Sequence, residues 1–340
     1  MSMKTSVIIL NWNGRKMLEQ YLPSVCECSI SNDSEVVVAD NGSTDDSIDF
    51  LKESYPQVRL LPFDRNYGFA EGYNKAIEQV EAEYVVLLNS DVEVTPCWLS
   101  TLTDYMDAHA DVAACQPKIR AYYAKEKFEH AGASGGFIDR YRFPYCRGRI
   151  FADVEEDKGQ YDDVKDIFWA TGAALFIRRE EYLEAGGLDA TFFAHMEEID
   201  LCWRLNSRGK RLVCVPQSVV YHLGGGTLNM NHPRKTYLNF RNNLLMIYKN
   251  EPENSLKWVL FMRKLFDNVA AVMFLLKGDK DNYSAVRKAR KEFHEIKLQY
   301  ADKRAENLSK QIVKEFPYNY RGSIVLAYYL LRKKYFSKLG

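Results

Sequence analysis

The sequence predicts an α/β fold, with a mainly parallel, doubly wound sheet, helices on both of its faces and a helical C-terminal region. Four short apolar, β-branched runs recur early in the chain, at 6–10, 35–39, 58–62 and 84–88. These runs are continuous rather than alternating, which is typical of strands buried on both faces. Helix-compatible segments follow them at about 14–22, 44–55, 70–80 and 96–110. This alternating order of strands and helices predicts the doubly wound arrangement.

Local signals refine these elements. Thr44 before two acids predicts an N-cap, and Pro96 near a first turn predicts another helix start. The segment 120–165 lacks periodicity and is interpreted as a long excursion that could shape a substrate pocket. Beyond it we predict a strand and a short helix within 166–189, a helix from about Glu197, and a pair of strands within 210–222.

Charge and cysteine content exclude several classes of protein. Lys plus Arg and Asp plus Glu both number 46, so net charge gives no reason to expect nucleic-acid binding. The seven cysteines form no CxxC pair and no zinc-type spacing, which indicates reduced thiols and a cytoplasmic protein. The apolar run at the start is too short for a signal peptide. The sequence contains no run of about 20 uninterrupted apolar residues, so we expect no membrane-spanning helix.

Polar residues follow each of the four predicted strands, at 11–13, 40–42, 64–66 and 89–91. Asn and Asp are common in loops for turn formation alone, so one such match means little. Ligands of doubly wound sheets bind beyond the carboxyl ends of the strands. Four matches at the same edge therefore predict a ligand site there.

Two of these segments suit a nucleotide. Asp40 could accept a hydrogen bond from the imide N–H of a uracil or thymine ring, or could serve only an Asx turn. Gly68 and Gly72 permit close backbone approach at a helix start, although a plain glycine-containing helix start fits equally. The segment lacks GxGxxG and a Walker lysine, which disfavours dinucleotide and P-loop ATP binding.

A candidate general base lies in the segment 192–205. Glu198 shares the apolar face of a predicted helix with Leu201 and Leu205. Burial would raise its pKa and the helix N-terminus would lower it, which suits a base, although acids also favour helix N-termini for ordinary reasons. Three charged residues on another face are interpreted as structural or ion-paired: Glu197, Asp200 and Arg204.

His222 ends a predicted strand before three glycines. A lone histidine is usually structural. A metal held by Asp91 would favour a ligand role, because imidazole binds borderline cations such as Mn²⁺.

Taken in order, seven motifs resemble the family-2 glycosyltransferases of the GT-A fold, especially their rhamnosyltransferase-like branch. They are VIILNWNG, VVVADNGSTDDS, RNYGFAEGYN, LLNSD, WATGAALFIRRE, GGLDATFFAHMEEIDLCWR and HLGGG, covering roughly residues 4–250. The resemblance implies a catalytic domain at 1–250, with a nucleotide-sugar half at about 1–118 and an acceptor half at about 119–250. A basic helical region, 251–340, would follow it.

The resemblance also implies an activity, namely inverting transfer from a nucleotide diphosphate sugar to a saccharide or lipid-linked saccharide during cell-surface polysaccharide synthesis. The donor would be a dTDP- or UDP-sugar, possible donors including dTDP-rhamnose, with Mn²⁺ or Mg²⁺ as the cation.

By position in the motifs, each site residue receives an expected role. The expected nucleotide-sugar ligands are Asn11, Asn13, Asp40, Asn66, Gly68, Asn89 and Ser90. Asp91 and His222 would hold the metal, and Glu198 would be the base. Trp169, Thr171 and Gly172 would border the acceptor.

Two positions depart from the family pattern. Asn89 replaces the first Asp of the DxD motif, which removes one charge from the expected metal site. Glu198 replaces the usual Asp, which moves the carboxylate outward by one methylene. Two alternatives therefore remain open: a sugar-1-phosphate nucleotidyltransferase, for which NWNGRK is a poor loop, and a non-catalytic sugar-nucleotide-binding protein.

The region from Glu251 onward carries 19 basic and 10 acidic residues, a net charge of +9, against −9 for the rest. The segment 255–278 is apolar but interrupted by charges, and 324–340 combines Tyr and Leu with basic residues and no acid. We expect peripheral contact with an anionic membrane, at the inner face of the cell membrane, or else a packing or oligomerisation helix.

Overall fold

The computed structural model describes residues 3–224 and 232–339. In this part of the chain the strands are β1 (Met3–Asn11), β2 (Ser34–Asp40), β3 (Arg59–Pro62), β4 (Ala82–Leu88), β5 (Val92–Val94), β6 (Val112–Ala121), β7 (Gly136–Ile138), β8 (Pro144–Cys146), β9 (Arg149–Ile150), β10 (Asp153–Val154), β11 (Lys165–Asp166), β12 (Ala174–Arg178) and β13 (Arg211–His222). The helices are α1 (Arg15–Ser29), α2 (Ser47–Ser54), α3 (Gly68–Glu78), α4 (Trp98–Ala108), α5 (Arg179–Glu184), α6 (Glu197–Ser207), α7 (Pro233–Asn250), α8 (Glu253–Leu276), α9 (Lys280–Ile296), α10 (Ala301–Ser309) and α11 (Ile324–Tyr329). Gly225 and Gly226 of the HLGGG motif lie outside the described residues.

The central sheet has the order β11-β13-β6-β12-β4-β1-β2-β3, with β5 paired to β13. The strands β4, β1, β2 and β3 are parallel, and β13 is parallel to β6. Only β12, among the inner strands described, runs antiparallel to both neighbours. The predicted α/β fold with a mainly parallel sheet is therefore confirmed.

Helices cover both faces because successive side chains of a strand point in opposite directions. In β1, Ile8 joins a core cluster that includes Tyr73 of α3, whereas Val7 and Ile9 join a second cluster with Leu22 of α1. All of these side chains are buried. Burial on both faces explains why the strands read as continuous apolar runs.

Two local predictions were wrong. Thr44 is not the N-cap of α2: Asp46 occupies that position, and the Thr44 N–H donates to Asn13 instead. The predicted strand pair within 210–222 is one strand, β13, whose pairing with β6 is irregular between Val215 and Val219. The long excursion contains a small antiparallel sheet of order β10-β9-β8-β7, although its sequence shows no periodic signal for one.

The C-terminal region is helical and packs on the body. Leu256, Phe293 and Ile324 belong to the same core cluster as α3 and α6. The described part of the segment, 324–339, forms only the short α11 and a 3₁₀ turn, Phe336–Lys338. Its backbone is fixed to the excursion, since the Ile324 N–H donates to Asp139 at 2.8 Å and the Phe336 N–H to Glu155 at 3.0 Å. No helix in the described ranges is long and apolar enough to cross a membrane.

Candidate active site

The parallel pairing of β1 and β2 places Asn11 beside Asp40 at the carboxyl edge of the sheet. Asn11 Nδ2 donates to Asp40 Oδ2 at 2.9 Å, and the Ser43 N–H donates to Asp40 Oδ1 at 2.9 Å. Both side chains are fully buried. The structure therefore brings these two predicted nucleotide ligands together and holds their geometry with hydrogen bonds.

Asn13 stabilises the turn after β2. Its backbone N–H donates to Ser43 Oγ at 2.9 Å, and its Oδ1 accepts from the Thr44 N–H at 2.7 Å. Asn13 is exposed, but its side-chain oxygen already accepts a hydrogen bond from the protein. Between Asn11 and Asn13, Trp12 is 51% exposed at the same edge. Sequence reasoning missed Trp12, whose signal is a large aromatic side chain among strand-end amides.

Asn66 and Gly68 lie at the start of α3, where Asn66 Oδ1 accepts from the Gly68 N–H at 2.8 Å. Asn41, which sequence reasoning did not single out, donates to the same oxygen at 3.1 Å. Gly68 has φ +79°, and a Cβ there would lie 2.6 Å from the Phe193 ring. The Phe69 N–H donates to the Phe193 carbonyl at 2.9 Å. The loop that precedes α6 therefore caps α3, and Gly68 allows that contact.

Asn89, Ser90 and Asp91 follow β4, as predicted. The pairing of β5 with β13 brings this segment to His222, the last residue of β13. His222 Nε2 lies 3.1 Å from Asp91 Oδ1 and 3.4 Å from Asn89 Nδ2. The two predicted metal ligands, Asp91 and His222, are buried side by side.

Glu129 completes this cluster and was missed, because it comes from the aperiodic excursion. Its Oε2 lies 3.2 Å from His222 Nδ1. Burial alone would lower the pKa of His222, but hydrogen bonds to Asp91 and Glu129 raise it to about 10. Burial would raise the pKa of Glu129, but His222 outweighs that effect and lowers it. His222 is therefore held between two carboxylates.

The positions of Asp91 Oδ1 and His222 Nε2 fit a divalent cation, which would bind in place of the proton that His222 Nε2 shares with Asp91. Two perpendicular ligands with bonds of about 2.1 Å lie about 3 Å apart, which matches their separation of 3.1 Å. Glu129 on the far nitrogen is the usual partner that orients a metal-bound imidazole. In residues 3–224 and 232–339 no group of three or more His, Cys, Asp or Glu side chains could hold a metal. The chain would thus leave coordination positions for phosphate oxygens and water.

Glu198, the second residue of α6, lies against the predicted acceptor segment. A Cβ on Gly172 would be 3.8 Å from Glu198 Cβ and 3.3 Å from the Phe69 ring. Glu198 is half-buried, and its Oε2 has no hydrogen-bond partner among the described residues. Burial raises the pKa of Glu198 to about 7, against the lowering effect of hydrogen bonds from its own backbone N–H and that of Ile199.

Of the three charged residues expected to be structural or ion-paired, two form an ion pair. Asp200 and Arg204 are buried, 3.1 Å from Oδ2 to Nη2. Glu197 forms no ion pair with the described residues, which leaves the structural alternative for it. Its Oε2 is buried without a partner, and burial together with the charge of Glu198 raises its pKa well above the ordinary value. Two neighbouring carboxyls are thus desolvated at one helix start.

Trp169 and Thr171, which precede Gly172 in the chain, are buried. The Trp169 indole N–H donates to the Phe137 carbonyl at 3.0 Å, and the Thr171 N–H donates to Gln116 Oε1 at 3.0 Å. Of the three predicted acceptor residues, Gly172 is the one packed against Glu198. Trp169 and Thr171 are held in the core by these hydrogen bonds.

His195 and Lys235 lie near this cluster and were also missed. His195 has φ +71°, and its buried Nε2 has no described partner. Burial and the charge of Lys235 lower the pKa of His195 to about 4, so the ring is neutral at pH 7. Burial also lowers the pKa of Lys235, which the charge of Glu129 partly offsets. These groups add a neutral imidazole and one cation beside the carboxylates.

Comparison with known proteins identifies the fold and the family. The model of the family described as Glycosyl transferase family 2 matches residues 6–163. The N-acetylglucosaminyl-diphospho-decaprenol L-rhamnosyltransferase of Mycobacterium tuberculosis is 26% identical, over 64% of this chain and 75% of that protein. Rhamnosyltransferase WbbL of Escherichia coli is 24% identical, over 60% of this chain and 79% of that protein.

Among solved structures, the mannosyltransferase PcManGT from Pyrobaculum calidifontis, in complex with GDP-Man and Mn²⁺, superposes with a TM-score of 0.52. The identity is 14%, over 91% of this chain and 86% of that chain, so this likeness concerns the fold alone. The family motifs lie at the carboxyl edge of the sheet, where the described side chains converge. The matched part of the chain, residues 6–163, belongs to the family 2 glycosyltransferases, and the described fold is of the GT-A type.

Proposed function

We propose that the chain is an inverting glycosyltransferase, which moves a sugar from a nucleotide diphosphate donor to a hydroxyl of a saccharide or lipid-linked saccharide. The observation that carries this proposal is the Glu198 carboxyl. It is desolvated, lacks a partner on Oε2 among the described residues, and has a pKa of about 7. A general base works best when its pKa lies near the working pH.

In this proposal Glu198 takes the proton of the acceptor hydroxyl as its oxygen attacks the anomeric carbon. The new C–O bond forms on the face opposite the nucleoside diphosphate, whose bond to that carbon breaks. The nucleoside diphosphate leaves with the bonding electron pair. One base beside the acceptor is sufficient for such a single displacement, which inverts the anomeric configuration.

Asp91 and His222 would hold Mn²⁺ or Mg²⁺. The cation would supply positive charge to the diphosphate as its negative charge develops. Glu129 would fix the orientation of the His222 imidazole. Asn89 adds an uncharged amide 3.4 Å from His222, where family members usually have a carboxylate.

Asn11, Asp40 and Asn66 would surround the nucleoside, with Ser90 and Asn89 nearer the diphosphate. The family resemblance supports a dTDP- or UDP-sugar as the donor, with Asp40 holding Asn11 and the Ser43 N–H in place at the nucleoside site. Two curated relatives are named as rhamnosyltransferases, which supports rhamnose as the sugar. One of them carries a lipid diphosphate in its name, which supports a lipid-linked acceptor and action at the inner face of the cell membrane.

The test measures release of nucleoside diphosphate from a panel of dTDP- and UDP-sugars, with and without Mn²⁺. Glu198→Gln should lower kcat by about 10²–10⁴-fold while donor binding persists. Asp91→Ala should abolish the response of donor binding to Mn²⁺. Glu197→Gln is the matched control, because it removes the neighbouring carboxyl and should keep most of the activity.

Release that survives both Glu198→Gln and Asp91→Ala would overturn this mechanism. Cation-dependent nucleotide binding without turnover on any acceptor would instead indicate a sugar-nucleotide-binding protein. The neutral Asn89 is the feature that makes this second outcome worth testing.

A further inference from the structure

The outer face of α8 exposes a stripe of large apolar side chains. Their exposed fractions range from 39% to 81%. The stripe consists of Trp258, Phe261, Leu265, Val269, Val272, Met273, Leu275 and Leu276. It spans about 27 Å, since a helix rises about 1.5 Å per residue. Isolated exposed apolar residues are ordinary, but a contiguous stripe of this size marks an interaction surface.

The opposite face of α8 already supplies the contacts that the fold requires. Leu256, Val259 and Ala271 are buried. Asp267, the acid in the middle of α8, is buried between Arg263 at 3.3 Å and Arg290 at 2.6 Å. The stripe is therefore additional to the core.

The exposed charged side chains along the stripe are basic, whereas the exposed acids Glu253 and Asp281 lie before and after it. Lys257, Lys264 and Lys277 are exposed, and none of them forms a described ion pair. Across residues 255–278, Asp267 is the one acid, and it points into the protein. An apolar stripe bordered by lysines is typical of a helix that lies in the interface of an anionic bilayer.

A second apolar and basic patch adjoins the first through the hairpin that joins β7 and β8. Phe266 of α8 packs on Tyr141 and Phe143 of this hairpin, with ring centroids 5.4 and 5.6 Å apart. The neighbouring Arg140 N–H donates to the Gly322 carbonyl, just before α11. The exposed side chains that follow are Leu326, Tyr329, Leu330, Leu331 and Arg332.

We propose that this face, formed by the α8 stripe and the α11 patch, docks on an anionic lipid bilayer. A second copy of the chain is a poorer occupant. In a two-fold contact the lysines of one copy would face the same basic stripe on the other, because the exposed acids Glu253 and Asp281 lie beyond its ends. The proposal is independent of glycosyl transfer, since none of these residues belongs to the candidate active site.

The experiment is flotation of the full chain with vesicles of equal parts phosphatidylglycerol and phosphatidylcholine, compared with phosphatidylcholine alone. The chain should float with the mixed vesicles at low salt, and binding should weaken as NaCl screens the lysines. The double variant Leu265→Ser, Val269→Ser should lower the partition coefficient at least about tenfold. Lys264→Gln should lower it about fivefold.

Leu298→Ser is the matched control, because this side chain is 71% exposed but lies outside the docking face. It should float like the unaltered chain, and all variants should release nucleoside diphosphate at the same rate. Absence of flotation at low salt would overturn the proposal, as would equal binding to phosphatidylcholine alone. A dimer, seen by ultracentrifugation and lost in the double variant, would assign the face to a second copy instead.

Discussion

The acids in the first turn of α6 differ in what surrounds them. Glu197 and Glu198 each carry a buried carboxyl oxygen with no described partner. Two residues after Glu198, Asp200 accepts from Arg204, Lys249 and Asn250, with Lys249 at 2.8 Å. Helical periodicity separates Glu198 from Glu197 and Asp200, but it does not show which of the three carboxyls has a partner.

The difference shows which part of the helix maintains the fold and which part is available for chemistry. Buried polar groups in folded proteins are nearly always hydrogen-bonded, so those that are not call for an explanation. Lys249 reaches both Asp200 and Asp189, the latter at 2.6 Å, and joins α7 to α6. Burial alone would raise the pKa of Asp189, but Lys249 outweighs it and lowers that pKa. Glu198, which lies beside Gly172 and whose Oε2 has no partner among the described residues, remains free to accept a proton.

The largest expected effect follows from breaking the buried ion pairs of Lys249 with Asp189 and Asp200. Lys249→Met would leave two buried carboxylates short of a cation and should lower the free energy of unfolding by about 3 kcal/mol. Urea denaturation, followed by circular dichroism, measures this loss. Lys310→Met is the control, because its ion pair with Glu306 is exposed and should contribute less than about 0.5 kcal/mol. Equal losses in the two variants would contradict the assigned roles.

Glu198, whose Oε2 has no described partner, should destabilise the folded protein when its carboxyl is ionised. Burial raises the pKa of Glu198 from 4.5 to about 7, so the folded state holds this proton more tightly than the unfolded chain. The folded state therefore loses about 3 kcal/mol of stability as pH rises from 4.5 to above 7. Glu198→Gln removes this loss, and its stability relative to the unaltered protein should increase over that interval. A pH-independent difference would mean that Glu198 titrates at its ordinary pKa.

The sequence predicted the sheet edge well because strand ends and their polar residues are local features. Asn11 and Asp40 meet because parallel strands end at one edge, and Asp91 meets His222 because β5 pairs with β13. The first pairing follows from the strand pattern, whereas β5 was not predicted and Asp91 was linked to His222 through the resemblance. The base position, Glu198, followed from the resemblance together with helical spacing.

The rest depended on tertiary packing that no local pattern carries. Glu129 reaches His222 from a segment without periodicity, and Phe193 caps α3 from the loop before α6. Glu197 Oε2 has no hydrogen-bond partner among the described residues, whereas Asp200 accepts from Lys249 of α7, far along the chain. Which carboxyl has a partner depends on the side chains that surround it. Spacing shows which residues share a face, but not what that face contacts.

The smallest expected effect separates the two neighbouring carboxyls of α6. Burial raises the pKa of Glu198 to about 7, and burial together with the charge of Glu198 raises the pKa of Glu197. Below pH 7, kcat/KM should fall about tenfold per pH unit as the base is protonated. Glu197→Gln replaces the neighbouring carboxyl with an amide of the same size and should move that limb of the pH profile by less than about one unit. A profile that loses its acidic limb in Glu197→Gln, but keeps it in Glu198→Gln, would transfer the role of base from the second residue of α6 to the first.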